Sequence, residues 1–144
     1  MAIIAPEEWW KMSLIDSILE LKDRCHLAEE IGQEYQLSPK EIECVVEVGA
    51  GDGVCSKNLS ESIGLSPSRG SRIINRLISK GIIENAPCRG DKRYVELSLT
   101  EDGRVCLDAI ERKKIECEKE ILGSLNDEER NTVAEGISLL LKVL

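Results

Sequence analysis

The chain has 144 residues, 42% of them hydrophobic and 32% charged, with a formal net charge of −8. That length suits one domain with one sizeable core, and the balance excludes a disordered chain. No apolar run approaches the roughly 20 residues that cross a bilayer, and no cationic start followed by a long apolar stretch marks an export signal, so a cytoplasmic protein without a membrane partner is expected.

The first helix is predicted over about 7–34. Trp10, Leu14, Ile18, Leu21, Cys25, Ala28 and Ile31 recur there at steps of three and four, marking one apolar face. A second helix opens at Ser38. Ser38, Pro39 and Glu41 occupy N-cap, first-turn and capping-box positions, and Ile42, Val45 and Val46 then face inward. Gly49-Ala50-Gly51-Asp52-Gly53 ends it. This run imitates a phosphate-binding glycine loop, but no strand-turn-helix context surrounds it, so it reads as a flexible turn.

Ser56 caps a short third helix that ends near Gly64. Ser66-Pro67 opens a fourth, and Gly81 closes it. Two extended stretches follow, 82–86 and 94–99, the second with Val95, Leu97 and Leu99 on one face. Residues 87–93 form a polar tip between them. Thr100 caps a fifth helix to about Ser124, with Leu107, Ile110, Cys117 and Ile121 inward. Asn126 and Glu129 cap a sixth, which carries the apolar stripe Val133, Ile137, Leu140, Leu141 and Leu144. The expected fold class is mainly α with a small β-hairpin wing.

Charge is unevenly spread. Residues 56–99 hold eight Lys/Arg and four Asp/Glu, or +4, leaving eleven basic and twenty-three acidic residues, or −12, elsewhere. Local charge sets an electrostatic footprint, so the acidic total does not exclude a polyanion as partner.

The third and fourth helices are joined by Gly64-Leu65-Ser66-Pro67, the layout of a helix-turn-helix. On the fourth, Gly70, Ile74, Leu77 and Ile78 form the inward face, while Ser68, Arg69, Arg72, Asn75, Arg76 and Ser79 project outward. Such a helix fits the major groove. Arginine offers guanine a rigid two-donor fork, and asparagine pairs with adenine. Ser66, Ser68 and the first amides of the helix suit phosphates. At the hairpin tip, Arg89, Lys92 and Arg93 surround Asp91. An arginine at the end of a β-ribbon can enter the minor groove, where narrow A·T tracts concentrate negative potential.

Four runs between residues 58 and 104 stand out: Leu59-Ser60-Glu61-Ser62-Ile63-Gly64-Leu65-Ser66, then Arg76-Leu77-Ile78-Ser79-Lys80-Gly81-Ile82-Ile83, then Asp91-Lys92-Arg93, then Leu99-Thr100-Glu101-Asp102-Gly103. On these residues the chain resembles the multiple antibiotic resistance regulator (MarR) family. The resemblance implies a winged helix-turn-helix homodimer. Its first, fifth and sixth helices interlock, and its two wings straddle a palindromic operator in double-stranded DNA. It also implies a repressor that lets go of DNA on a small-molecule, metal or oxidant signal, with Asp91 and Arg93 as the wing pair. Residues 38–99 are then the DNA-binding lobe, and 1–37 and 100–144 the dimerisation helices.

Six cysteines are scattered without a CxxC pair, beside a single histidine, His26. No metal site or cofactor is expected from such spacing. Cys25, beside His26, and Cys55, just before a helix N-terminus that favours a thiolate, are the candidate redox sensors. A thiol enzyme is not expected, because neighbours on a helix point about 100° apart and make a poor nucleophile-base pair. The competing reading is a winged-helix module that binds another protein and has lost DNA.

Overall fold

The computed structural model describes residues 13–51, 53–87, 90, 93 and 95–144. The described elements run α1 (Leu14–Arg24), α2 (Leu27–Tyr35), α3 (Pro39–Gly49), β1 (Val54–Cys55), α4 (Ser56–Ser62), α5 (Pro67–Ser79), β2 (Ile83–Pro87), β3 (Val95–Leu99), α6 (Glu101–Gly123) and α7 (Asp127–Val143).

Most helices begin where a side chain can satisfy an orphan amide. Ser38 Oγ accepts from the Glu41 amide at 3.3 Å, and Glu41 Oε2 accepts from the Ser38 amide at 2.7 Å, closing the expected capping box. Asn126 and Glu129 do the same for α7, each bond 2.9 Å. Ser66 caps α5 through the Arg69 amide at 3.4 Å. Gly81 follows that helix at φ +71°, as its closing role requires.

The single long first helix is instead two helices, and its start at 7–12 lies outside the described residues. Cys25 leaves the helical region at φ −87°, ψ 94°, and His26 opens α2 without a side-chain cap. Two causes act together. Cysteine and histidine are weak helix formers. The core also draws on α2 through Leu27, Ile31 and Tyr35, which leaves Ala28 exposed, while α1 buries no residue at all.

The core gathers Val45 and Val48 of α3, Leu59 of α4, Leu77 of α5, Leu97 of β3 and Ile110 of α6, each at most 1% exposed. Within the helix-turn-helix, α4 and α5 touch closely at Gly70. A Cβ there would lie 2.0 Å from Ser60 Oγ, so only glycine lets the two helices approach. The sheet is antiparallel in the order β1-β3-β2, with Val54 opposite Leu97 and Ile83 opposite Leu99. β1 is an addition to the expected hairpin. It takes the two residues before Ser56 into the sheet, so Cys55 rather than Ser56 is the N-cap of α4.

Thr100 alone separates β3 from α6. Its amide donates to the Ile82 carbonyl at 3.1 Å, and its hydroxyl donates to the Gly81 carbonyl at 2.5 Å and accepts from the Gly103 amide at 3.0 Å. A Cβ on Gly103 would stand 2.1 Å from the Ile82 oxygen. The leucine-threonine-x-x-glycine run therefore bolts the start of α6 onto the hairpin's base. Only the first half of α6 is buried, at Gly103, Cys106, Ala109 and Ile110, and Ile121, expected to face inward, is 54% exposed. α7 buries nothing.

Candidate nucleic-acid interface

α5 presents two faces, as its sequence pattern requires. Gly70, Ile74 and Leu77 are buried and Ile78 is half-buried, while Ser68, Arg69, Arg72, Asn75, Arg76 and Ser79 are all exposed. The inward face fixes the helix against α3, α4 and β2, so the outward face is rigidly held. No acid lies on α5, and among the described residues Arg69, Arg72 and Arg76 have no ion-pair partner. Three unneutralised guanidinium groups on one helix face make a local positive field that a polyanion would meet first.

At the start of α5, Ser66 Oγ lies 3.3 Å from Ser68 Oγ, and at its end the Ser79 hydroxyl donates to the Asn75 backbone carbonyl at 2.9 Å. A proline in the first turn costs no hydrogen bond there, and the Arg69 amide is met by Ser66 Oγ.

The wing is described in part. Its strands β2 and β3 pair along their whole length, and Gly90 and Arg93 are exposed. Arg89, Asp91 and Lys92 lie outside the described residues, so the expected Asp91–Arg93 pair does too.

The two candidate sensor thiols sit apart. Cys55 is half-buried in β1, and Cys25 is exposed at the end of α1. Cys25 lines a cavity of about 530 Å³ between α1, α2 and α6, whose lining also includes Cys117, a thiol not among the candidate sensors. Arg24, His26, Glu30 and Lys113 share the lining. Cys44 and Cys106 are buried. Burial pushes the Cys44 thiol up to about 11 and raises that of Cys106 in the same sense. His26 and Cys25 lie at a helix break rather than along a helix, and His26 Nδ1 faces Glu29 at 3.5 Å. Among the described residues no group of three or more His, Cys, Asp or Glu side chains could hold a metal, and no helix is long and apolar enough to cross a membrane.

Sequence reasoning missed Lys80 and Glu41 as partners. Lys80 was one cation of the basic lobe and Glu41 one member of a cap, yet they pair at 3.0 Å with Glu41 buried. Nothing local signals a contact between residues 39 apart.

Residues 50–84 match the winged helix-turn-helix DNA-binding family, a span that holds β1, α4 and α5. The chain is 23% identical over 105 residues to the HTH-type transcriptional regulator PecS of Dickeya dadantii, a match covering 71% of this chain and 63% of that protein. The chain thus spans less than two thirds of that relative's length. Its fold is that of Streptococcus pneumoniae FabT, solved in complex with DNA, at TM-score 0.80 and 22% identity over 90% of this chain and 94% of that one. The apo form of wild-type MarR from E. coli superposes at TM-score 0.70 with 23% identity, over 100% of this chain and 99% of that one. YusO of Bacillus subtilis does so at TM-score 0.75 with 18% identity, over 99% and 100%. The resemblance to MarR regulators read from residues 58–104 is borne out.

Proposed function

We propose that this chain, a winged-helix DNA-binding regulator of the MarR type, acts as a homodimeric repressor that reads a palindromic operator with α5 and lets go of it on a chemical signal. The observation that carries the reading is the exposed face of α5, where Arg69, Arg72 and Arg76 stand together without an acid on the helix. A helix of that kind, held rigidly by a buried opposite face, is what major-groove reading needs. Arg72, Asn75 and Arg76 read bases in this scheme. Ser66, Ser68 and Arg69 hold phosphates, and the wing residues Arg89, Lys92 and Arg93, with Asp91 among them, reach the flanking groove.

Dimerisation rests on the terminal helices. Leu14, Ile15, Leu19 and Leu21 of α1 and Ile137, Leu139, Leu141 and Val143 of α7 are exposed large hydrophobics. A monomer rarely leaves so much contiguous apolar surface in water, whereas an obligate interface resembles a core cut in half. The signal enters, on this reading, near the cavity between α1, α2 and α6, where a small molecule or an oxidant would meet Cys25. Cys55 is the second thiol proposed to respond.

The test is binding of the full chain to genomic fragments in a gel shift at several salt concentrations. Retention of particular fragments that share a palindrome, weakening steeply with salt, is the expected result. Failure to retain any fragment at low salt overturns the reading and favours a protein-binding winged helix.

A further inference from the structure

α5 carries its cations in two ways. Arg69, Arg72 and Arg76 point into solvent without an ion pair, but Lys80, at the C-cap of the same helix and itself still exposed, turns its ammonium onto neighbouring elements. Its Nζ donates to Glu41 Oε1 at 3.1 Å, to Glu41 Oε2 at 3.0 Å and to the Gln36 carbonyl at 2.6 Å. Both partners belong to the corner between α2 and α3. All three ammonium hydrogens can be engaged there.

The other side of this contact is unusual in two respects. The Glu41 side chain is 3% exposed, and it accepts from the Ser38 amide as well as from Lys80. Burial pushes its carboxyl up, but the Ser38 amide and the Lys80 ammonium pull it down further, so it stays ionised below the ordinary carboxylate range. A buried carboxylate persists as an anion only with such partners. Gln36, which ends α2, stands at φ +53°, the one non-glycine residue at positive φ among the described residues. That turn aims its carbonyl at Lys80. α2 is in turn held to α6 by the Glu34–Lys113 pair at 2.9 Å.

These contacts form one connected path: α6 to α2 through Lys113, and α2 to the end of α5 through Lys80. We propose that Lys80 is a positioning residue for DNA reading. It does not meet the nucleic acid, but ties the C-terminal end of α5 to the α2–α3 corner and makes operator affinity depend on where α2 stands. This rests on the DNA-binding reading above. It differs sharply from the simpler account in which Lys80 is one more cation for phosphate and Glu41 one more unwanted negative charge.

Glu41→Gln separates the two accounts. Glutamine also serves in a capping box, so the start of α3 is kept while the charge is lost. Simple electrostatics makes this variant bind DNA more tightly. The positioning role makes it bind more weakly.

The experiment uses full-length protein and a labelled duplex selected by the parent from random-sequence DNA. Glu41→Gln, Lys80→Met, Lys80→Arg and the double variant Glu41→Gln/Lys80→Met are titrated onto it over a range of salt, with melting and mass measured alongside. Glu41→Gln and Lys80→Met should each weaken binding by about tenfold, a size typical of residues that act on a site through another element. The slope of log affinity against log salt should match the parent's, because Lys80 releases no counterion from DNA. The double variant should be no weaker than the worse single one, and Lys80→Arg should recover most of the loss. Tighter binding by Glu41→Gln overturns the proposal, as does unchanged affinity in both single variants. A slope lowered by about one per subunit in Lys80→Met makes Lys80 a phosphate contact and also overturns it. If Lys80→Met does not fold, Glu41→Gln and Lys80→Arg still decide. A parent that selects no duplex at all removes instead the reading on which the proposal rests.

Discussion

The two ends of α6 are made of similar residues and live in different surroundings. Near its start, Cys106 and Ile110 are fully buried against α2, α3 and β3. Near its end, Ile121 and Leu122 are exposed, and the whole of α7 beyond them buries nothing. α7 is amphipathic too, less so than α2, α3 or α5 but no less than α6, which does reach the core. What differs is the presence of a partner surface within the same chain. Apolar periodicity therefore tells which face of a helix must be covered, and does not tell whether the cover comes from the same molecule.

The comparison can be broken most forcefully by truncating one leucine of the core and one of α7. Leu77→Ala should destabilise the chain by about 2–5 kcal/mol in denaturant unfolding, through lost burial and a cavity. Leu141→Ala should cost less than about 0.5 kcal/mol in a dilute monomer, as a surface change does. Its effect should appear as protein concentration rises, as a loss of dimer by light scattering. Equal losses at all concentrations would show that α7 is covered by its own chain.

The next effect is on reading. Arg72→Ala or Arg76→Ala should weaken operator binding by about 1–3 kcal/mol and relax sequence preference, with little change in melting. If both bind as tightly as the parent, the outward face of α5 is not the reader.

Thiol chemistry sharpens the contrast from another side. Under native conditions at pH 8, Cys25 should alkylate readily while Cys44 and Cys106 do not, as mass spectrometry of labelled peptides would show. The Cys44 thiol is held neutral in the fold, so its contribution to stability is whole below the ordinary thiol value of 9.0 and is lost as pH rises through about 11. Glu41 works in the opposite sense. Its carboxyl lies below the ordinary value of 4.5, so its contribution is present above that value and is lost as pH falls through its lower folded value. Glu41→Gln should therefore flatten the acid limb of a stability-against-pH curve. Alkylation of Cys44 as fast as Cys25 would mean that the lobe's core opens freely.

The smallest effects belong to the wing. Arg93→Ala should leave the melting temperature almost unchanged, since an exposed charge is worth under about 1 kcal/mol. It should lower the salt slope of operator binding by about one per subunit. Asp91→Ala should weaken binding although it removes a negative charge. Tighter binding would show that Asp91 does not orient Arg93.

The helix-turn-helix, the hairpin and the capped starts of α3, α5 and α7 were legible because their causes are local. A serine or asparagine accepts from an amide three residues on, and a face repeats every three or four residues. The arginine face of α5 was legible for the same reason. The break at Cys25 was not, because the pattern of apolar residues runs through it, and the weak propensity of Cys25 and His26 becomes decisive only with the pull of the core on Leu27, Ile31 and Tyr35. β1 was hidden because two residues carry no period. It exists through pairing with Leu97 and Glu96, more than forty positions away. The shared cavity lining of Cys117 and Cys25, and the Lys80–Glu41 pair, escaped notice because each is made by helix packing rather than by neighbourhood.

The single residue between hairpin and α6 has a mechanical consequence. Thr100 is bolted to Gly81, Ile82 and Gly103, so no slack segment lies between the wing's base and the long helix. Hairpin and helix behave as one lever arm. In the proposed dimer two such arms form a caliper, and its jaw opening is set by how the terminal helices pair. An extra base pair between half-sites turns one against the other by about 35° as well as moving it away. A jointed protein could follow that change. A caliper cannot, so the spacing of the operator is written in the angle at which the two copies of α6 meet.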